Sequence, residues 1–413
     1  MPTSSTSHRR LSTPRSLLGV VLGVATATSC ATSGLVALDI TSSSASPTTT
    51  AASSTATGYP ASAPPVTITI NTDLNGPIAG TNLLPYQNVW VPQFEKVYPN
   101  IHIKIIASST SGDDQALYDR IIAAQHANAA PPVNISDSSI LPQLIEQNAG
   151  VKITAAEVPL MSEVDPSLLA ATNYEAIPFR GSSVVLAYNS QFVKSPPTSL
   201  SSLLSWIQAN PGKFTYNTPA SGGSGEGFVQ AVVNTGIPAP QESIFENGYK
   251  PGLESDWSNG LKTLASLKTD IYNHGFYPDG NTATLDLLAN GSIWAAPVWS
   301  DQATSALGVH QLPPTVKLAQ LNPPMPGGPA DLMVIKGSPN QQAAFTFINY
   351  MLSPAEQELV AKYMKGYPGV EWKYAPEPVL QEFGPIAKTY APAWDAQYTD
   401  DLAQKWQSTV AAS

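Results

Sequence analysis

From Val66 onward the chain repeats one order, strand and then helix, and that order admits few architectures. Val66-Thr67-Ile68-Thr69-Ile70 alternates as a short strand, closed by the polar turn Asn71 to Pro77. Trp90-x3-Phe94-x3-Tyr98 then places three aromatics on one helical face, with Val89 and Val97 beside them. Pro99-Asn100 stops that helix, and Ile101 to Ile105 alternates as a second strand. Gln115 to Ala129 is an amphipathic helix with Leu117, Ile121 and Ile122 inward. Strand–helix–strand–helix order predicts a parallel α/β sheet.

The middle of the chain keeps this grammar. Ser183 to Tyr188 reads as a strand, and Leu200 to Ala209 as a helix closed by Asn210-Pro211-Gly212. Phe228 to Val233 and Gly260 to Leu267 read as helices, and Ser292 to Ala296 as a strand with Trp294 in the core. Trp90 and Trp206 lie on helix faces and serve packing. Asn340 to Leu352 and Pro354 to Tyr363 are two late helices separated by Ser353, a good N-cap. A chain of 413 residues is too long for one core and suits two lobes with appendages.

Charge narrows the function. The net charge is −10, and Arg9, Arg10 and Arg15 put three of the twenty basic residues at the extreme start. A basic footprint for nucleic acid is missing. One cysteine excludes an internal disulfide framework, and the five histidines form neither zinc spacing nor an HExxH pair.

The first thirty residues read as an address. The three arginines precede the apolar run Leu17 to Ala25, too short to span a bilayer as a helix, and small residues follow up to Cys30. Cys30 lies where a lipoprotein signal places its lipidated residue, after Ala27-Thr28-Ser29; the plainer reading is an ordinary secretory signal. Residues 31–65 are expected to be a disordered tether, because TSSSASPTTTAASSTATGYPASAPP offers almost no apolar surface to bury.

Five ordered stretches resemble the family 1 extracellular solute-binding proteins of bacterial ABC importers. They are Trp90-x3-Phe94-x3-Tyr98-Pro99-Asn100-Ile101, Ile177-Pro178-Phe179-x4-Val184-x3-Tyr188-Asn189, and Pro196 to Phe214. Asn290-Gly291 before a strand ending at Trp299 follows, and then Ala343 to Gln357. Pro196 to Phe214 is most similar to the branch near thiamine- and polyamine-type receptors. The chain departs from the family pattern at Ala130-Pro131-Pro132-Val133-Asn134. The resemblance implies an α/β, two-lobe periplasmic-binding-protein fold with a ligand cleft between the lobes. Its crossings would lie near Pro178–Tyr188 and Met325–Val334. One lobe would then comprise 66–182 with about 330–365, and the other 183–329 with about 366–413.

Strand-end position nominates the cleft residues: Asp73, Asn75, Ser108 with Ser109, and Asp137 with Ser138 and Ser139. In the second lobe, Gly222 to Gly227 carries Ser224 and Glu226 ahead of a helix whose free amides could face a ligand. Trp299-Ser300-Asp301 ends the strand that the family uses to present an aromatic. Each also has a plain structural reading: Asp73 and Asp137 as turn caps, the glycine-rich stretch as a flexible connection. These loops hold Asp73, Asp137, Glu226 and Asp301 but no arginine or lysine, which favours a small organic cation over an oxyanion. A neutral sugar is the alternative, since carboxylates and aromatic faces suit it as well. The adjacent tyrosine pair of iron receptors is missing.

An enzyme is disfavoured, for the chain has no Gly-x-Ser-x-Gly elbow. The expected protein is an exported, lipid-anchored monomer without cofactor or metal. It would pass a small solute to an ABC permease in the membrane; a ligand sensor for a membrane partner is the other role open to it.

Overall fold

The computed structural model describes residues 58–73, 85–108, 111–238, 244–246, 248–384, 386 and 389–412. Cys30, Asn75 and Ser109 lie outside them. No helix among the described residues is long and apolar enough to cross a membrane.

The first sheet runs in the order β2-β1-β3-β7-β4. Here β1 is Val66–Asp73, β2 Ile101–Ser108, β3 Ile135–Asp137, β4 Ala176–Asn189 and β7 Pro326–Val334. Strand β1 is parallel to β2 and β3, as the alternating order predicts. The sheet is nevertheless mixed, because β7 runs antiparallel to β3 and to β4. The cause is topological: β4 carries the chain out of this sheet and β7 brings it back alongside.

Beyond Ser183, β4 changes partners. Its second half pairs with β5 (Ala295–Trp299) and β6 (Val316–Ala319), the sheet of the second lobe. One apolar strand of 14 residues, almost wholly buried, therefore serves both lobes. Two-residue strands flank it: β8 (Tyr367–Pro368) pairs with Arg180 and Gly181, and β9 (Ala391–Pro392) with the start of β7.

Each lobe has its own core. In the first, Ile68, Ile70, Trp90, Phe94, Ile135, Phe179, Leu332 and Phe347 pack together, all excluded from solvent. The aromatic spacing works as the sequence suggests: Trp90 and Phe94 face inward, and the Phe94 ring meets Phe347 edge-on at 5.1 Å. In the second, Val184, Leu186, Leu203, Ile207, Phe214, Phe228 and Trp257 pack with Trp394 and Trp406 from the end of the chain. Helix Leu200–Ala209 starts where Ser199 accepts from the backbone N–H of Ser202 in a capping box.

Two expectations need correction. The strand read as Ser292 to Ala296 is Ala295–Trp299, and Trp294 lies outside it, half-buried. There its ring stacks on Phe192 at 5.0 Å with the Lys213 ammonium 5.1 Å above, so its apolar faces are covered without entering the core. Ser353 occupies the N-cap of Pro354–Met364 but its side chain makes no cap bond.

Candidate ligand cleft

The cleft is built where β4 and β7 cross between the lobes. Two cavities lie here, of 480 Å³ and 300 Å³, and both are lined by Arg180 and Pro329. The larger is walled by Tyr367, Trp372 and Tyr390, with Asp165, Glu371 and Lys373 among its charged residues. The smaller lies at the carboxyl end of β3 and is lined by Asp137, Ser138, Ser139 and Asp331. That is where an open α/β sheet offers a crevice for ligands.

Arg180 is the central charge. Its Nη1 lies 3.4 Å from Oδ2 of Asp301, and both side chains are largely buried. Asp301 lies in the first turn of helix Ser300–Gly308, directly after β5, so this pair links the crossing strand to the second lobe. Ser182 donates to Asp301 Oδ1 at 2.7 Å, and the Ser183 and Tyr367 hydroxyls meet at 2.8 Å. Burial pushes the Asp301 carboxyl up; the Arg180 guanidinium and the Ser182 bond pull against it. Arg180 Nε is sealed from solvent without a hydrogen-bond partner among the described residues.

On the first-lobe side, Asp137 Oδ2 accepts from the Tyr86 hydroxyl at 3.0 Å and from Thr72 at 3.2 Å. Burial raises this carboxyl, while Arg180 and the two hydroxyls oppose the rise. Asp331, on β7, is pushed up to about 7 by burial and then by the Asp137 charge. Its Oδ1 is sealed and has no partner among the described residues. Burial, then Asp331 and Asp165, raise the Tyr390 phenol to about 12. Two opposite charges thus hold unspent hydrogen-bonding atoms on neighbouring strands of one cleft.

A model of the bacterial extracellular solute-binding proteins matches residues 90–383. The chain belongs to this family. A solute-binding protein of this kind should share its architecture with solved relatives, and it does. It is similar to an extracellular solute-binding protein from Bordetella parapertussis, with a TM-score of 0.67 and 16% identity over 83% of this chain and 98% of that one. It also resembles the spermidine/putrescine ABC transporter substrate-binding protein PotD from Streptococcus pneumoniae (TM-score 0.59, 14% identity, 83% and 99% covered). The maltose-bound MalE3 of T. maritima is similar too (TM-score 0.62, 16% identity, 84% and 94% covered). No curated relative matches the sequence. The fold is thus the two-lobe one expected for this solute-binding protein.

Of the nominated residues, Asp137 and Ser138 line the smaller cavity, with Ser139 beside them. Asp301 stands behind Arg180. Ser108 ends β2, and its hydroxyl donates to Asn71 Oδ1 at 3.3 Å. Asp73 ends β1, paired in register with Ser108. Trp299 packs on the second-lobe core and is not among the residues lining the two cavities. The glycine-rich stretch differs most from its reading. It is the opening of helix Gly223–Asn234 itself, and two of its amides are taken by side chains. Ser224 N–H bonds Asn281 Oδ1 at 3.0 Å, Gly225 N–H bonds Asn217 Oδ1 at 2.7 Å, and the Ser224 hydroxyl bonds both asparagines. Side chains of this lobe thus satisfy the donors a ligand would need. Glu226, one turn on, is raised to about 7 by burial and by Asp400 and lines neither cavity.

The candidate loops carry no arginine or lysine, but Arg180 reaches the site from the crossing strand. It was detectable: the chain has five arginines, and Arg180 is the one charged residue in β4. Asp331 could be found the same way, as the one acid in Pro326–Val334. Tyr367 lies in a two-residue strand, Trp372 in a single 3-10 turn and Tyr390 in a loop, all too short to show periodicity.

Proposed function

We propose that this protein captures a small polar organic solute bearing a cationic group and hands it to the permease of an ABC importer. The observation that carries this reading is Asp331. A buried carboxyl oxygen without a partner is costly unless a ligand donor completes it, and an ammonium does so best. The aromatic contact first assigned to Trp299 falls instead to Tyr367, Trp372 and Tyr390, whose faces suit a cation. Family membership supports an extracytoplasmic location, and Cys30 is the proposed lipid anchor of a monomer. Carbohydrate is the second reading, favoured by the same three aromatic rings.

Native mass spectrometry of freshly purified protein tests the reading directly, since a retained solute identifies itself by mass. Closure of the two lobes on that solute should reduce the radius of gyration in solution scattering, because only a ligand touching both lobes shifts their equilibrium. An unchanged radius at saturation would argue against capture between the lobes.

A further inference from the structure

We infer that the solute is zwitterionic, an aminocarboxylate whose carboxylate pairs with the Nε edge of Arg180 and whose ammonium pairs with Asp331. This rests on the cleft being the solute site.

The argument begins with what each charge lacks. Arg180 makes one contact with Asp301, from Nη1 at 3.4 Å, longer than the roughly 2.7–2.9 Å of a good charge-assisted bond. Its Nε is sealed from solvent and has no partner among the described residues, so the guanidinium edge carrying Nε holds an unspent donor. That edge is a planar fork matched to a carboxylate. Asp331 Oδ1 is sealed and unpartnered in the same cavity. The two form no ion pair with each other among the described residues; Arg180 pairs with Asp301 instead.

A ligand with one charge can therefore satisfy only one side. A pure amine would complete Asp331 but leave Arg180 Nε buried and unpaired, with the guanidinium repelling it. A pure carboxylate would complete Arg180 and repel Asp331. A diamine compounds the first fault. A molecule with both groups completes both atoms, spanning from Asp331 on β7 to Arg180 on β4, whose ion pair with Asp301 ties that end to the second lobe. The anion is a carboxylate because a single guanidinium, already sharing its charge with Asp301, suits a monoanion better than a phosphate.

The test is titration calorimetry with glycine, 4-aminobutanoate and 6-aminohexanoate against butylamine, putrescine, butanoate and maltose. The proteins are wild type, Arg180→Gln, Arg180→Lys and Asp331→Asn, with circular dichroism to confirm folding. At least one aminocarboxylate should bind wild type tenfold or more tightly than butylamine or butanoate. Arg180→Gln should weaken it at least tenfold without weakening butylamine, Arg180→Lys should fall between, and Asp331→Asn should weaken both amino ligands. Butylamine or putrescine binding as tightly as every aminocarboxylate would overturn the inference, as would Arg180→Gln leaving the aminocarboxylate unaffected. Arg180 would then be only the counter-ion of Asp301. Binding of maltose alone, or of no probe, also overturns it. In the maltose case the solute receptor survives; a preparation in which no solute of any class binds would sink that reading as well.

Discussion

The phenolic hydroxyl of Tyr86 donates to Oδ2 of Asp137 across 3.0 Å, joining the turn before the first aromatic helix to the end of β3. Tyr86 is fully buried, and Thr72 supplies a second bond to the same oxygen. Asp137 is thereby committed to the frame of the cleft. Tyr86→Phe should cost about 1–3 kcal/mol of stability, because a buried carboxyl loses a donor. It should change solute affinity less than Asp331→Asn does. Denaturant melts and calorimetry on the two variants check this, and a larger loss of affinity in Tyr86→Phe would make Asp137 a direct ligand group.

Solute affinity should rise with pH through about 7. An ammonium needs Asp331 ionised, and its carboxyl titrates at about 7 in the empty cleft, facing Asp137 and Tyr390. Binding a cation pulls that value down, so protons leave on binding near neutrality. Calorimetry in buffers of different ionisation enthalpy should detect the release, and Asp331→Asn should abolish it.

Stability without solute should run the other way. Glu226 titrates at about 7 folded against an ordinary value of 4.5, so the native state binds more protons than the unfolded one between those limits. Stability is then highest below the unfolded value and falls as pH rises through 7. Asp331, Asp137 and Asp301 shift in the same direction. Glu226→Gln should raise Tm at pH 8, by an amount on the order of 2 kcal/mol in stability, and have little effect at pH 4. A Tm–pH profile with unchanged slope would deny Glu226 this role.

Gly369 should not tolerate a side chain. A Cβ there would meet Phe179 backbone atoms at 2.5 Å, directly behind Arg180. Gly369→Ala should cost about 1–3 kcal/mol by overpacking and weaken solute binding as Arg180 is displaced. Thermal melts and solute titration of the variant measure both.

Cys30→Ala should move the protein from the membrane fraction to the soluble one. Continued membrane association in that variant would leave the lipid anchor without support.

Much of the fold was legible because its signals are local. Leu200–Ala209 was readable to the residue, since Ser199 caps it and Asn210-Pro211-Gly212 ends it, with Gly212 at φ 75°. Strands were found but cut short: β4 starts at Ala176, seven residues before the stretch read as strand. Its first half carries Pro178 and Arg180, which break an apolar pattern. The cleft was legible only in part. Asp137 follows from strand-end position, but Asp331 and Arg180 meet through a pairing of β4 with β7 about 150 residues apart in sequence. No local pattern announces such a meeting. The amides of Ser224 and Gly225 looked open because nothing in the stretch foretold Asn217 and Asn281.

Between Pro178 and Arg180 the pairing with β7 slips by one residue: Pro178 lies opposite Asp331 and Arg180 opposite Ala330. The extra residue, Phe179, is in the first-lobe core, while its two neighbours line the cleft. Strand phase therefore decides which of Phe179 and Arg180 meets water. Deleting either would turn a guanidinium into the apolar interior or a phenyl ring into the cleft. Evolution can retune this site by substituting residues, but insertions and deletions at the crossing are closed to it.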